Sequence, residues 1–386
     1  MYNILTLNKI AACGIEKLGD NYTVSDSCEN PDGIILRSFS MHEMELPESL
    51  KCIARAGAGV NNIPIEECTK KGVVVFNTPG ANANAVKELV ILGLLIGSRK
   101  VVSGIEWAKT LSGQGSEVGK MVEKGKGTYT GPEIKGKTLG VIGLGAIGAM
   151  VANTAIELGM KVVGYDPFLT VDSAWRLSSK IIHAKTVDEI YESSDYITLH
   201  IPATDDTTGM INSESLAKMK QGVRILNFAR GTLVNDAHLA AALDEGKVAC
   251  YVTDFPNDAV LSMENVIAIP HLGASTPESE DNCAVMAAVE LKEYLENGNI
   301  KNSVNFPNCE MPRGGARITV VHKNIPSMLA NLSKVVSDNG INISNMLNKS
   351  KKENAYTIID LESDAKDEIV DAILSVKGVY SARLIK

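Results

Sequence analysis

Short apolar runs alternate with longer amphipathic segments along most of the chain. Within the first hundred residues, runs rich in Ile, Val and Leu predict strands, and the apolar-periodic segment 85–102 predicts one long helix. This alternation is typical of a parallel sheet with helices on its faces. Residues 112–136, rich in Gly and Lys, interrupt the pattern. The strands predicted for this first series are Ile4–Leu7, Gly33–Leu36, Cys52–Ala54 and Val73–Phe76.

A second series of strands and helices begins at residue 138. Its apolar runs are again separated by segments with helical periodicity, so we expect a second doubly wound, Rossmann-like parallel sheet. The predicted strands are Thr138–Ile142, Lys161–Tyr165, Tyr196–His200, Arg224–Phe228, Ala249–Thr253 and Val266–Ile269. The predicted helices are 146–159, 213–220, 236–245 and 276–297.

The C-terminal part of the chain has a different order of elements. Residues 303–316 contain prolines and glycines without periodicity and predict a linker. Residues 317–386 then follow the order strand, helix, strand, strand, helix, strand, which predicts a ferredoxin-like α/β sandwich. The predicted strands are Ile318–His322, Ile341–Asn348, Ala355–Leu361 and Val379–Leu384, and the predicted helices are 326–339 and 366–375.

The amino-acid composition excludes several kinds of binding partner for this protein. The net charge of −8 argues against an extended nucleic-acid surface or a basic membrane patch. The apolar stretch Leu89–Gly97 is too short to span a bilayer, and the N-terminal residues look like a strand and not a signal peptide. The seven cysteines are scattered without CxxC pairs, so we expect a reduced, cytoplasmic protein without a metal site or a disulfide framework.

The segment Gly143–Gly148 reads GLGAIG, follows an apolar strand and opens a predicted helix. In this context the first glycine permits a tight turn, the second lets the backbone approach a pyrophosphate, and the third lets the helix pack on the strand. The helix N-terminus, including Ala146 and Ile147, offers unpaired N–H groups to that pyrophosphate. Asp166 ends the next strand, where its carboxylate would accept bonds from a ribose and repel a 2′-phosphate. The segment predicts a site for NAD that contains Gly143, Gly145, Ala146, Ile147, Gly148 and Asp166.

Four polar side chains follow predicted strands of this second series. Ligands of open α/β sheets bind beyond the carboxyl ends of strands, so these positions are site candidates. Arg230 has a planar fork that suits a carboxylate and a polarised carbonyl oxygen, and His271 is the usual acid or base near neutral pH. Asp254 could bind the nicotinamide amide or help to hold the site together. His200 lies on the cofactor side by the same reasoning, although a core role is an equal alternative.

The first series contains candidates for binding an anionic substrate. Arg55 ends a strand and is followed by the glycine-rich segment Gly57, Ala58, Gly59 and Val60, whose backbone N–H groups would form a carboxylate cradle. Arg37 and Lys87 are further cations near predicted strand or helix ends. Each of the three cations could instead be an ordinary solvated surface side chain.

These motifs resemble, in order and spacing, the D-isomer-specific 2-hydroxyacid dehydrogenase family over about residues 1–305. The matching segments are Gly143–Gly148 with Asp166, Leu199–Thr204, Asn227–Gly231 and Pro270–Thr276. The resemblance implies a discontinuous substrate-binding domain at 1–97 and 273–302 and an NAD-binding domain at 98–272. It also implies that Pro202, Thr207, Ala229 and Gly273 contact the cofactor.

One family feature is missing. The family places a glutamate shortly after the strand that ends in Asp254, where it pairs with the catalytic histidine. The present sequence reads Asp254-Phe255-Pro256-Asn257-Asp258, with no Glu at that point. Asp258 is the candidate for that role, provided that its loop moves inward.

The C-terminal segment resembles an ACT domain, a small-molecule regulatory module. The stretches from His322 to Pro326 and from Gly340 to Ile343 match segments that bind L-serine in related enzymes, so the resemblance implies His322, Asn324 and Asn342 as effector residues. The family usually has glycine after the proline, where this chain has Ser327. The side chain and restricted backbone of that serine weaken the expectation of serine binding.

Within the family, the segments around Arg55 and Asn77 are similar to those of members that oxidise 3-phosphoglycerate to 3-phosphohydroxypyruvate with NAD, the first step of the phosphorylated pathway to L-serine. In that reaction His271 would take the hydroxyl proton and Arg230 would orient the carboxylate. Two alternatives stay open: a hydroxypyruvate or glyoxylate reductase, and a non-enzymatic NAD-sensing corepressor. The resemblance further implies a homodimer or homotetramer.

Overall fold

The computed structural model describes residues 1–386, apart from the side chain of Asp172. The chain forms two compact units. The first unit combines Met1–Asn82 with Pro277–Lys386, and the second is Ala83–Thr276. No helix within the described residues is both long enough and apolar enough to cross a membrane.

The N-terminal part of the first unit is a five-stranded parallel sheet with the order β2-β1-β3-β4-β5. Four of these strands were predicted from the sequence. The edge strand β2 was not, because its four residues, YTVS, include two polar ones and lack the continuous apolar run of the other strands. The elements are β1 (Tyr2–Leu7), α1 (Ala12–Ile15), β2 (Tyr22–Ser25), β3 (Gly33–Leu36), β4 (Cys52–Arg55), α2 (Ile65–Lys70) and β5 (Val74–Phe76).

The second unit contains a seven-stranded parallel sheet with the order β12-β11-β10-β9-β6-β7-β8. Its helices are α3 (Ala83–Ser98), α4 (Val101–Thr110), α5 (Val118–Gly125), α6 (Ala146–Glu157), α7 (Val171–Ala174), α8 (Val187–Ser193), α9 (Ser213–Lys218), α10 (Asp236–Asp244) and α11 (Asp258–Leu261). Its strands are β6 (Thr138–Ile142), β7 (Lys161–Tyr165), β8 (Ile182–His183), β9 (Tyr196–Leu199), β10 (Val223–Asn227), β11 (Val248–Thr253) and β12 (Val266–Ala268). Two apolar clusters cover the sheet.

The helix expected over 85–102 is two helices in the structure, α3 and α4. The break follows from Arg224, whose Nε donates to the carbonyl of Gly97 at 3.0 Å. In a continuous helix that carbonyl would accept from the N–H of Val101, which instead donates to Arg99 at 2.6 Å. A long-range side-chain contact therefore ends α3.

The position of helix α3 makes the boundary between the two units differ from the predicted domain boundary. The sequence placed it in the substrate-binding domain ending at residue 97, whereas the structure packs it in the second unit. Gly93 and Gly97 allow this packing, because a Cβ atom there would lie 2.7 Å from Phe228 and 2.9 Å from Val252 respectively.

The C-terminal part of the first unit follows the predicted βαββαβ order. Its antiparallel sheet has the order β14-β15-β13-β16, which is consistent with an ACT-like domain. One face packs under α13 and α14, and the other packs into the apolar cluster around α12. The elements are α12 (Pro277–Asn297), β13 (Arg317–Lys323), α13 (Met328–Asp338), β14 (Ile343–Lys351), β15 (Asn354–Leu361), α14 (Glu368–Leu374) and β16 (Val379–Ile385).

The segment 303–316, predicted as a linker, is packed against the first unit over much of its length. Phe306 and Cys309 are fully buried, and Ser303 pairs with Phe76 in an antiparallel bridge at the edge of the parallel sheet. Arg317 anchors the end of the segment, because its guanidinium donates to the carbonyls of Met311 and Pro312 and to the carboxylate of Asp360. Prolines and missing periodicity therefore indicated irregular backbone here, but not exposure.

Candidate functional site

The glycine-rich turn after β6 has the geometry that its sequence predicts. Gly143 has a φ of +90°, and a Cβ atom there would lie 2.5 Å from the carbonyl oxygen of His200. A Cβ atom on Gly148 would lie 1.9 Å from the carbonyl oxygen of Gly143, so the turn and the first turn of α6 require glycine at both positions. Side chains at these positions would separate α6 from the strand.

The N-terminus of α6 has room for a ligand. Gly145 precedes the helix without a side-chain cap, and a Cβ atom there would meet nothing within 4 Å. The first N–H groups of any helix have no intrahelical acceptor, so Ala146 and Ile147 present donors at this open position. Asp166, at the end of β7, accepts from the N–H of Leu144 at 2.9 Å and so lies beside the turn.

Asp254 is the most buried acid of the second sheet's carboxyl edge. It is 1% exposed, and its Oδ1 has no hydrogen-bond partner among the described residues. Burial raises the pKa of Asp254, while the positive charges of His271 and Arg230 and the N–H of Gly273 act in the opposite direction. A Cβ atom on Gly273 would lie 3.2 Å from its Oδ2. Asp254 thus carries a buried acceptor that is available to a ligand.

Asn227 fixes the backbone that carries Arg230. Its Oδ1 accepts from the N–H groups of Ala229 and Arg230, and its Nδ2 donates to the carbonyl of Arg230 and to Tyr251. The guanidinium of Arg230 is exposed and donates to the carbonyl of Ala229 at 2.6 Å. The backbone is therefore held rigidly by a buried amide, while the guanidinium has no acidic partner within the described residues.

His271 lies just beyond β12 and is exposed. Its ring packs against Phe255, with 4.7 Å between the ring centroids. Asp258 is exposed in the first turn of α11, and within the described residues it forms no hydrogen bond or ion pair with His271. Asn257 caps α11, and its Nδ2 donates to the carboxylate of Asp236 at 2.9 Å. The structure thus does not bring Asp258 to His271. The positive charge of His271 acts instead on Asp254, whose pKa it lowers against the larger effect of burial.

His200, Pro202 and Thr207 lie in one segment after β9. Burial lowers the pKa of His200 to about 4, so its ring is neutral at physiological pH, and Nε2 lies 3.0 Å from the hydroxyl of Thr198. The hydroxyl of Thr207 donates to the carbonyl of Pro202 at 2.7 Å and accepts from the N–H of Thr204. These contacts order the segment internally, and a neutral His200 cannot serve as a cation here.

In the first unit, the loop after β4 places the guanidinium of Arg55 beside several backbone N–H groups. Gly57 has a φ of +151°, and a Cβ atom there would lie 2.2 Å from Nη1 of Arg55, so only glycine lets the guanidinium lie over the loop. Nε of Arg55 donates to the carbonyl of Arg37 at 3.1 Å. The N–H groups of Ala58, Gly59 and Val60 donate to no acceptor in the part of the chain that the structure describes. A guanidinium and three unpaired donors therefore lie on one short loop.

The two other candidate cations have acidic neighbours. Nη1 of Arg37 lies 2.7 Å from Oε1 of Glu280 on α12. The ammonium of Lys87 lies 3.8 Å from the carboxylate of Glu88. Both charges are thus partly neutralised within their own units, which sets them apart from Arg230.

Comparisons with known proteins show to which family the chain belongs. Residues 104–273 match the NAD-binding domain model of the D-isomer-specific 2-hydroxyacid dehydrogenases. A D-3-phosphoglycerate dehydrogenase of Saccharomyces cerevisiae is 30% identical over 355 residues, which cover 84% of this chain and 70% of the yeast protein. The chain belongs to the D-isomer-specific 2-hydroxyacid dehydrogenase family. A D-3-phosphoglycerate dehydrogenase of Bacillus subtilis is 32% identical over 332 residues, and this chain spans only 59% of that protein.

A solved structure agrees with this family membership. The NAD⁺-bound 3-phosphoglycerate dehydrogenase of Entamoeba histolytica superposes with a TM-score of 0.61 at 29% sequence identity. The match covers 79% of this chain and 98% of that one. The predicted family, the mixed α/β fold with Rossmann-like sheets and the cofactor NAD are thereby confirmed.

The residues of this chain fit the family's cofactor. The open space at Gly145 suits a pyrophosphate, Asp166 suits a ribose diol, and the unpartnered Oδ1 of Asp254 is a buried acceptor for an amide N–H. All three groups lie at the carboxyl edge of one parallel sheet, which is where such sheets bind ligands.

The predicted effector residues are separated within the chain. His322 is buried, and its ring nitrogens lie 2.8 Å from the carbonyl of Lys323 and 2.7 Å from the hydroxyl of Thr357. Burial lowers the pKa of His322, and the bond to Lys323 partly offsets this. Asn324 binds Lys352 before β15 begins, whereas Asn342 binds Glu362 after β15 ends. The two asparagines thus lie beyond opposite ends of β15, an eight-residue strand.

Three residues near the site were missed by the sequence analysis as functional candidates. Phe255 packs on the ring of His271. Asn77 donates from Nδ2 to the carbonyl of Ala58 at 2.6 Å, and the buried hydroxyl of Thr78 has no partner among the described residues. The sequence offered two signals for Asn77 and Thr78, their position directly after a strand and the resemblance of their segment to family members that oxidise 3-phosphoglycerate.

Proposed function

We propose that this protein oxidises 3-phospho-D-glycerate to 3-phosphohydroxypyruvate with NAD, as the first step of the phosphorylated pathway of L-serine biosynthesis. The observation that carries the proposal is the loop at Arg55, where a guanidinium and the unpaired N–H groups of Ala58, Gly59 and Val60 lie together. A substrate with both a carboxylate and a phosphate offers enough acceptors to use such a loop. The similarity to phosphoglycerate dehydrogenases over most of the chain supports the same substrate.

The proposed reaction assigns a role to each group. NAD, when bound, accepts the hydride from C2 of the substrate. His271 takes the proton of the C2 hydroxyl, so that the C–H and O–H bonds break while a C=O bond forms and the proton stays on the imidazole. Arg230 binds the carboxylate and the C2 oxygen, and Arg55 with the Gly57–Val60 loop binds the remaining anionic groups. Asp254 provides a buried acceptor for the carboxamide of the nicotinamide.

The direct test is NADH formation from 3-phosphoglycerate at pH ~8–9, compared with glycerate, the same acid without the phosphate. We expect turnover of the phosphorylated acid and a much weaker reaction with glycerate. Efficient NADH-dependent reduction of glyoxylate or hydroxypyruvate without a phosphate preference would instead favour a reductase. Tight NADH binding without turnover of any hydroxyacid would favour the NAD-sensing alternative.

Variants make the test specific to the proposed groups. His271→Ala should lower kcat by roughly 10²–10⁴-fold, the usual contribution of a general base. His238→Ala is the matched control, because His238 is also exposed in the second unit but its Nδ1 only accepts from the N–H of Ser213. Near-normal turnover by His271→Ala or by Arg230→Ala would contradict the proposed chemistry.

Inhibition by L-serine is the regulatory part of the proposal, and its support is the βαββαβ order of the C-terminal sheet. The assay above, repeated with millimolar L-serine, should show lower activity. The Asn324→Ala and Asn342→Ala variants should then lose the inhibition and keep the basal rate. Activity that millimolar serine leaves unchanged would remove the effector from the proposal.

Pairing of two copies through the second unit is also proposed. Its support is a set of exposed apolar side chains on α3 and α4: Leu92, Leu95, Val101, Val102 and Ile105. We expect a dimer or tetramer by light scattering and a shift towards monomers in the Ile105→Asp variant. A cytoplasmic location remains a prediction from the scattered cysteines.

A further inference from the structure

Asn77 connects the substrate loop to a second, buried part of the first unit. Its Nδ2 donates to the carbonyl of Ala58 at 2.6 Å, and its backbone N–H donates to the carbonyl of Asn302 at 3.4 Å. It directly follows β5, whose last residue is Phe76, so its own backbone is held by the parallel sheet. The side chain of Asn77 thus connects an ordered sheet edge to a loop in which the N–H groups of Ala58, Gly59 and Val60 donate to no acceptor within the described residues.

Asn302 belongs to a short segment that lies along the edge strand β5. Ser303 pairs with Phe76 in an antiparallel bridge, and the N–H of Val304 donates to Val75 at 2.9 Å. Asn302 has a φ of +58°, a conformation that asparagine tolerates better than most residues. Its side chain donates to Oε1 of Glu290 at 2.6 Å. The segment therefore closes the sheet edge and presents a fixed carbonyl to Asn77.

Glu290 lies on α12 and is 5% exposed, and its Oε2 has no partner in the part of the chain that the structure describes. The charged group that acts on it is Lys301. A buried, half-satisfied carboxyl group costs stability, and an apolar side chain would fill the same space more favourably. The acid is not part of the proposed hydride transfer. Glu290 lies at one end of a chain of hydrogen bonds that runs through Asn302 and Asn77 to Ala58. This position indicates a structural role in holding the substrate loop.

We propose that Asn77 is a positioning residue that sets the conformation of the Gly57–Val60 loop, and that Glu290 acts through Asn302 to hold Asn77 in place. The proposal rests on the proposed function only in assigning the loop to substrate binding. The hydrogen bond from Asn77 holds the carbonyl of Ala58. It thereby fixes the orientation of the adjoining peptide units, whose N–H groups would bind an incoming anion. Without this restraint the loop must be ordered by the substrate itself, at a cost in affinity.

The first experiment measures the loop without using activity. Hydrogen exchange is followed at the amides of Gly57 and Thr78, which donate to the carbonyls of Arg55 and Gly57 within the loop. Asn77→Ala and Asn302→Gly should speed their exchange about tenfold, the effect of one lost hydrogen bond. Glycine is chosen at residue 302 because it adopts the positive φ without strain while the side-chain bond to Glu290 is lost. Unchanged exchange in both variants would overturn the proposal.

A matched control is available at Asn299, whose partner Glu293 lies on the same helix as Glu290. Asn299 donates from Nδ2 to Glu293 at 2.7 Å, just as Asn302 donates to Glu290, but it contacts Met311 and Arg317 and not Asn77. Asn299→Ala should leave the exchange of Gly57 and Thr78 as in wild type. If it speeds that exchange equally, the effect is general loosening of the unit and the positioning role is contradicted.

The second experiment separates substrate binding from turnover. Asn77→Ala, Asn302→Gly and Glu290→Ala should each raise KM for 3-phosphoglycerate about tenfold with little change in kcat or in KM for NAD, because the loop binds ground state and transition state alike. Glu290→Gln retains an acceptor for Asn302 and should keep the wild-type KM. Equal falls in kcat with unchanged KM would overturn the proposal. Absence of wild-type turnover would instead refute the proposed function, while the exchange experiment would still decide the role of Asn77.

Discussion

Asp166 and Leu144 are joined by a hydrogen bond of 2.9 Å between a carboxylate oxygen and a backbone N–H, although 22 residues separate them in the chain. The bond ties the end of β7 to the glycine-rich turn after β6. It fixes a negative charge beside the open N-terminus of α6, which is the position where a dinucleotide's ribose would lie. We therefore expect the coenzyme preference of the protein to depend on this carboxylate.

The first prediction concerns that preference. Asp166→Asn keeps an acceptor for Leu144 but removes the charge that repels a 2′-phosphate, so kcat/KM with NADP relative to NAD should rise by roughly one to two orders of magnitude. Steady-state assays with both coenzymes measure the ratio. Asp195→Asn is the control, because Asp195 accepts in the same way from the N–H of Thr138 at 2.8 Å, at the opposite end of the strands. A ratio that moves equally in both variants would contradict this role.

The second prediction concerns the buried ion pair of the C-terminal sheet. Arg317 and Asp360 are both fully buried and make two hydrogen bonds, of 2.6 and 2.9 Å. Asp360→Asn leaves the guanidinium without its counter-charge, so we expect a loss of roughly 3–5 kcal/mol in the free energy of unfolding. Denaturant titration measures it. Asp338→Asn, which breaks the exposed pair with Lys334, should change stability by less than about 0.5 kcal/mol.

The third prediction concerns Ser327, where the family usually has glycine. Its φ is +65°, in the left-handed region that disfavours a side chain. Ser327→Gly should therefore stabilise the protein by about 0.5–1 kcal/mol, after the greater flexibility of glycine in the unfolded chain is included. Ser333→Gly, inside the same helix α13, should destabilise it by about 0.5 kcal/mol. Thermal unfolding of both variants tests this, and a shift of the same sign in both would refute it.

The fourth prediction concerns the pH dependence of stability. Burial raises the pKa of Glu290 from its ordinary 4.5 to about 8, so the folded protein keeps a proton there that the unfolded chain releases. The contribution of this group to stability is complete below pH ~4.5 and is lost as the pH rises towards 8. The Glu290→Gln variant has no titrating group at this position, so it does not lose this stability as the pH rises. Its unfolding temperature should approach that of wild type in acid and exceed it increasingly up to pH 8, and parallel pH profiles would contradict the assignment.

Much of the fold and of the cofactor site could be read from local patterns. Gly148 is required by its contact with the carbonyl of Gly143, five residues away, and Gly143 has a positive φ in the turn itself, although a Cβ atom there would also meet the distant carbonyl of His200. The positions of Arg230 and His271 follow from the rule that sites lie beyond the ends of parallel strands. The βαββαβ order of the C-terminal part followed from periodicity alone. The sequence was informative at these places because the constraint and the residue are close together in the chain.

The remaining features were decided by contacts between distant parts of the chain. The break between α3 and α4 depends on Arg224, which is 127 residues from its acceptor Gly97. The burial of the 303–316 segment depends on the edge of β5, and the link from Glu290 to Ala58 passes through Asn302 and Asn77. The sequence by itself thus determined the fold class and the dinucleotide site, whose signals are local backbone requirements. Only the tertiary structure decided which polar groups are buried together, because such pairings depend on chain crossings that leave no periodic pattern.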